Sequence, residues 1–157
     1  MKPFVDFATY NSSNPFGAVD PKYYPSTHHH IGSDFKVPVG TPIIAPEDGE
    51  MFRSLFNSFR GNTGVYIFKH GGVEWGLEFC HLRELPPTKT YKRGDVIAYS
   101  GNTGTATTAP HLHVTLHRDA MVSKNYVELT SEDIYNKFCK EGRIVDPYAW
   151  FKDHLMS

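Results

Sequence analysis

The sequence predicts a mainly β domain with helices confined to its C-terminal end. Three observations carry this. Short runs rich in β-branched and aromatic residues recur between turn signals from about residue 37 to residue 117. The first helix-start signal comes only near Thr130. The chain has 157 residues, 39% of them hydrophobic and 14% aromatic, which suits one domain with a real core. Together they point to an all-β sandwich or a partly open barrel, with helices added late.

Residues 1–28 are rich in Pro, Asn, Ser and Tyr without a clear period, and Asn11 to Pro15 reads as a turn. They are expected to form an arm or ordered loop laid over the domain, with residues 29–157 as the single domain. Next comes His28-His29-His30-Ile31-Gly32-Ser33-Asp34. Gly32 and Ser33, with prolines nearby, argue against a helix, so a turn or bent strand is predicted. Val37 to Pro46 is a proline-flanked short strand, and Asp48-Gly49 a tight turn. Glu50 to Phe56 suits a strand, and Asn57 to Asn62 a polar loop.

Val65 to Phe68 and Leu77 to Leu82 are β-rich runs joined through His70-Gly71-Gly72, which predicts a hairpin. Alternation in the second run puts Leu77, Phe79 and His81 on one face, and Glu78 and Cys80 on the other. Cys80 is therefore expected to face the core, away from His81. Val96 to Tyr99 is another strand, followed by a long small-residue loop to Pro110. That loop delivers the chain into a strand carrying His111-Leu112-His113 and running to about His117. In the tail, Thr130 and Asp133 have capping-box spacing, Ile134 and Phe138 form a helical stripe, and Gly142 stops it. Asp146-Pro147 opens a second short helix.

The formal net charge of −1 gives no electrostatic case for nucleic acid, and no apolar run is long enough for a transmembrane helix. Cys80 and Cys139 read as free thiols. The start, Met1 to Asp6, lacks the apolar segment of a secretory signal.

The chemistry lies in the histidines. In a strand, residues i and i+2 share a face, so His111 and His113 look into one space. Catalytic zinc takes three protein ligands and keeps one open position. His30, Asp34 and one histidine of His111-Leu112-His113 supply that count. His81 and the other histidine remain for proton transfer and oxyanion stabilisation. His28 and His29 are expected to be a solvated approach to His30, and His70, His117 and His154 surface residues.

These motifs together resemble the lysostaphin/LytM-type zinc metallopeptidases, which cut peptide bonds in bacterial peptidoglycan. The resemblance runs in order through His30-Ile31-Gly32-Ser33-Asp34, Gly40-Thr41-Pro42, Ala45-Pro46-Glu47-Asp48-Gly49 and Phe79-Cys80-His81-Leu82. It continues through Ser100-Gly101-Asn102-Thr103-Gly104 and Pro110-His111-Leu112-His113, and closes with Val145-Asp146-Pro147. It implies a two-sheet antiparallel β structure with an open groove across one sheet and one or two short C-terminal helices. It also implies one Zn2+ held by His30, Asp34 and His113. His81 and His111 would be the catalytic pair that orients and deprotonates the attacking water and stabilises the tetrahedral intermediate. Asn102, Thr103 and Thr107 would line the substrate groove.

Three positions depart from the pattern. Cys80 replaces a usual Ala, Ala109 a usual Gly, and Thr115 stands where a Glu often follows. Residues of about 119–144 read as an insertion relative to a minimal domain.

The implied activity is a peptidoglycan endopeptidase, with the wall peptide as substrate. The alternative is a catalytically inactive family member serving as a structural or wall-binding module of a phage tail. With no signal at the start of the chain, the expected setting is a bacteriophage lysin. It would be made in the cytoplasm and reach the wall as an endolysin through a holin-type hole, or carried among phage tail proteins. An N-terminal asparagine, Asn11 or Asn14, is expected to be able to occupy the open zinc position in a latent form.

Overall fold

The structure, a computed structural model, describes residues 1–124 and 129–155. Its elements are β1 (Ser33–Phe35), β2 (Pro42–Ile44), β3 (Gly49–Asn57), β4 (Gly61–His70), β5 (Val73–Leu82), β6 (Thr90–Tyr91), β7 (Val96–Tyr99) and β8 (Leu112–His117). After these come α1 (Ala120–Lys124), α2 (Glu132–Lys140), β9 (Ile144–Val145) and α3 (Pro147–His154). A seven-stranded sheet has the order β1-β8-β5-β4-β3-β6, with β9 also on β8. A two-stranded sheet pairs β2 with β7. Every strand pair is antiparallel. The fold is the mainly β, two-sheet structure that the sequence predicts.

Alternation along β8 sorts its two faces. Leu112, Val114 and Leu116 are fully buried in the main core, with Leu77 and Phe79 of β5 and Tyr66 and Phe68 of β4. The N-terminal segment reaches that core. The Phe4 ring is fully buried and meets Phe35, Phe79 and Phe151 edge-on, with centroids 4.9–5.7 Å apart. Edge-to-face contacts of this kind add to the area that these four rings bury. Residues 1–28 are thus anchored through the core as well as running over the domain.

Several expectations need correction. Cys80 does not face the core. It pairs directly with His113 across β5 and β8, and it lines a cavity together with Glu78 and His81. Alternation fails because His81 adopts φ 61° and the β4–β5 register shifts between Asn62 and Gly64. A left-handed residue breaks the period of two, so His81 joins the face of Cys80 while Leu82 returns to the core. The helix cap is Ser131, not Thr130. Ser131 Oγ accepts from Ile134 N at 3.2 Å. A third helix, α1, precedes the two predicted ones. His117 is buried, at 6% exposure, rather than a surface residue. The polar loop is tighter than predicted, because Asn57 ends β3 and Gly61 already begins β4. Asp146 and Pro147 do open α3, and Asp146 Oδ1 also accepts from Ser33 Oγ (3.1 Å), tying the helix start to β1. Cys80 and Cys139 are both free. Among the described residues, no helix is long and apolar enough to cross a membrane.

Candidate metal centre

The centre lies where β1 and β8 run side by side. Asp34 stands directly opposite His113 in the register, so their side chains leave the sheet on one face. The turn before β1 brings in His30. Gly32 makes this approach possible, because a Cβ there would lie 2.0 Å from the Val114 carbonyl oxygen. His30 Nε2, Asp34 Oδ1 and His113 Nδ1 then converge. Their separations are 3.3 Å (His30–Asp34), 2.9 Å (His113–Asp34) and 3.2 Å (His30–His113). Tetrahedral ligands about 2.0–2.1 Å from zinc stand roughly 3.3 Å from one another. The donor set and spacing therefore fit zinc, and these three residues could hold one metal ion.

Each donor is aimed by a hydrogen bond at its far atom. His30 Nδ1 donates to the Asn14 carbonyl (2.9 Å), which leaves Nε2 with the lone pair. Asn14 Nδ2 donates to Asp34 Oδ2 (2.9 Å). His113 Nε2 lies 3.0 Å from Thr115 Oγ1, which leaves Nδ1 for a cation. Such outer partners fix ring orientation and tautomer. Asn14 alone holds two of the three donors. Its own Oδ1 accepts from Tyr24 OH (2.9 Å), and Asn11 Oδ1 accepts from Ser13 N and Oγ. Neither asparagine offers its side-chain oxygen to the metal position, contrary to the latent form expected above.

The electrostatics follow the burial. Burial alone would raise the Asp34 carboxyl, but hydrogen bonds from His113 and His30 and their charges hold it well below the usual carboxylate range. Burial pushes the His113 imidazole down. His30 is 2% exposed and Asp34 8%, so the donors are shielded from water on most sides.

His81 and His111 stand beside this cluster, with ring centroids 4.8 Å apart. His81 Nδ1 donates to the Thr103 carbonyl (2.8 Å). His111 Nδ1 donates to the Ala109 carbonyl (2.9 Å), with Thr107 Oγ1 at 3.2 Å. Both rings thus keep a lone pair at Nε2. Burial pushes His81 down to about 4, against a smaller upward effect of the Thr103 hydrogen bond. A left-handed His81 costs about 1–3 kcal/mol of backbone strain, and it is held there by these contacts and by its N–H on Arg60 O (2.8 Å).

All five residues line one cavity of about 440 Å³. The segment from Tyr23 to Thr27 forms another part of its wall, as do Asn57, Phe59 and Arg60. Asn102, Thr103 and Thr107 are not among the lining residues. Thr103 buttresses His81, and Thr107 donates to Asn102 Oδ1 (2.6 Å) behind His111. His29 is no solvated approach. Its Nε2 lies 2.8 Å from Glu132 Oε2 and its ring stacks on Tyr135. Sequence reasoning named Asn14, Thr115 and Glu78 but missed where they act, the first two behind the donors and the third on the cavity wall. Thr115 had a signal, since it follows His113 by one strand period. Asn14 had none, because its contacts come from 16 and 20 residues away.

The chain resembles known proteins over this region. The model of "Peptidase family M23" matches residues 28–127. An uncharacterised metalloprotease of Haemophilus influenzae is 40% identical over 90 residues, 56% of this chain and 18% of that protein. The peptidoglycan DD-endopeptidase ShyC of Vibrio cholerae is 40% identical over 86 residues, 54% of this chain and 19% of its own. The glycyl-glycine endopeptidase ALE-1 of Staphylococcus capitis is 34% identical over 89 residues, 54% of this chain and 24% of its own. This chain therefore spans less than a quarter of each of these relatives. Among solved structures, LytU is 33% identical with TM-score 0.56, covering 70% of this chain and 73% of its own. A zinc-containing peptidase from Vibrio cholerae is 29% identical with TM-score 0.58, covering 73% and 35%.

Proposed function

The chain belongs to peptidase family M23, and from that premise we propose that it is a zinc-dependent endopeptidase of bacterial peptidoglycan cross-links. In this reading residues 29–157 are the metallopeptidase domain, and residues 119–144 an addition to it. His30, Asp34 and His113 hold one zinc ion, and His81 and His111 are the catalytic pair. The observation that carries the reading is the convergence of His30 Nε2, Asp34 Oδ1 and His113 Nδ1 within 3.3 Å of one another, beside two further histidines in one cavity.

Zinc bound there would polarise the scissile carbonyl and lower the pKa of the attacking water toward neutrality. The rest falls to the chain's own side chains. His81, kept neutral by burial, takes a proton from that water at Nε2. His111 offers its Nε2 lone pair on the same cavity wall and orients the attacking water, while His81, having taken the proton, donates that Nε2–H to the oxyanion. The proton then passes to the leaving amine. The Thr103 and Ala109 carbonyls keep both rings in the tautomer this needs.

A zinc titration with a turnover assay tests the proposal. One equivalent of zinc should restore fragment release from purified peptidoglycan to the metal-stripped chain. Zinc and wall binding without release would mark the inactive binding module instead. The bacteriophage setting is a separate expectation that the neighbouring genes decide, with holin or tail genes beside this one expected.

Asn14→Ala tests how the donors are aimed. The Asn14 carbonyl on His30 survives this change and the amide on Asp34 does not. Zinc affinity should fall about 10–100-fold, as is usual for an outer partner. Metal-competition titration reads this directly, and an unchanged affinity would remove Asn14 from the site.

A further inference from the structure

Glu78 is a buried group that the proposed mechanism does not use. It lies on β5 directly across from Thr115 of β8, one strand period from the Cys80–His113 pair. Side chains at i and i+2 stand about 6–7 Å apart on one face. Glu78 therefore leaves the sheet on the same face as the metal donor His113, about two residues of extended peptide away. It lines the same cavity and is 8% exposed.

A carboxylate removed from water needs a cation or several donors. Glu78 has neither. Its one side-chain hydrogen bond comes from Cys80 Sγ at 3.7 Å. Burial pushes the Cys80 thiol up, so it supplies a weak donor and no charge. His117, further along the same face, is pushed down by burial, against a smaller upward effect of the Glu78 charge. Arg60 lines the cavity and lowers the Cys80 thiol through its charge. Among the described residues, however, no basic side-chain nitrogen lies within 4.0 Å of the Glu78 carboxylate, and the salt bridges nearest the centre are those of Asp34. Among the described residues, the Glu78 carboxylate meets a cation within ion-pair distance only when one enters the cavity.

We infer that Glu78 binds an ammonium group of the substrate, beside the bond held at the metal centre. The group it fits is the side-chain amine of a diamino acid residue in the wall peptide. A free amino end offers the same chemistry. The inference rests on the proposed endopeptidase reading and narrows it. A peptide bearing an ammonium near the scissile bond should be preferred over a neutral one.

Calorimetry on the full zinc-loaded chain tests this with three probes: acetyl-Gly-Gly-Lys-Gly-Gly-amide, its Nε-acetyl-lysine twin, and pentaglycine amide with a free amino end. The lysine peptide should bind about 10–100-fold tighter than its twin, the range of a charge-assisted hydrogen bond. Glu78→Gln should bring the two to the same affinity while zinc content stays the same. A preference confined to the free amino end would keep the ammonium site and assign it to chain termini. Equal affinities in the unmodified chain, or a preference that survives Glu78→Gln, would overturn the inference. The probe comparison in the unmodified chain does not depend on how the variant folds. Hydrolysis of native and fully N-acetylated peptidoglycan, measured alongside, separates the two readings. No hydrolysis of either with the binding preference intact sinks the endopeptidase and keeps the site. Equal hydrolysis of both overturns the site and keeps the endopeptidase.

Discussion

Asp34→Ala should reduce bound zinc from about one ion per chain to near zero, with hydrolysis lost alongside. Asp34 supplies the one carboxylate oxygen among the three donors, and two histidines without it make an incomplete site. Its Oδ1 also lies within 3.3 Å of both histidine nitrogens and orders them. Asp34→Asn separates charge from shape, because it keeps the volume and the Asn14 neighbourhood but loses the negative charge. Both variants should lose metal, and Asp34→Ala should lose more. Elemental analysis after dialysis reads the outcome, and unchanged metal content in Asp34→Ala would sink the ligand assignment. The depressed Asp34 carboxyl also stabilises the metal-free fold. Its contribution is present above about pH 4 and is lost as pH falls, since the unfolded carboxyl takes a proton first. The variants should therefore show a flatter acid limb of thermal stability.

His81→Ala should keep zinc and lower hydrolysis by about 10²–10⁴-fold, the usual range for a positioned acid–base group. The His81 ring stands 6.5 Å from the His113 ring, centroid to centroid, and no hydrogen bond joins it to a metal donor. Its loss thus leaves the ligand set in place. His81→Asn is the control for the backbone, because Asn tolerates the left-handed conformation that Ala disfavours. Both should be equally inactive and equally metal-replete. Retained activity would remove His81 from the mechanism. The sign of its pH effect is fixed as well. The folded-state value of about 4 lies below the ordinary 6.5, so the unfolded chain binds the proton first. His81 costs no stability above pH 6.5 and costs progressively more as pH falls from there toward 4. Replacing it should lessen the acid loss of stability in that window.

What was legible in the sequence was what is local and periodic. The β4–β5 hairpin, the strand from Leu112 to His117 and the Asp146-Pro147 helix start all follow from spacing and turn chemistry. The positions that converge on the cavity were legible through motif order. The side of His81, shared with Cys80, was not, because a single left-handed residue at 81 leaves no trace in the alternation of Leu77 and Phe79. Nor was the burial of His117, which depends on what the rest of the chain lays over that end of β8. His29 looked solvated because its partner, Glu132, lies 103 residues away. Asn14 was read as a possible ligand, yet its amide and carbonyl serve the ligands from behind. Each miss is a tertiary contact overriding a local rule.

The central claim is that this cavity cuts peptide bonds in the wall with one metal ion. Mass spectrometry of the fragments released from purified peptidoglycan tests it most directly. The zinc-loaded chain should release muropeptides with new amino and carboxyl ends at a cross-link peptide bond, and a chelator should abolish them. Fragments cut in the glycan, or release that is unchanged by the chelator and by Asp34→Ala, would contradict the account.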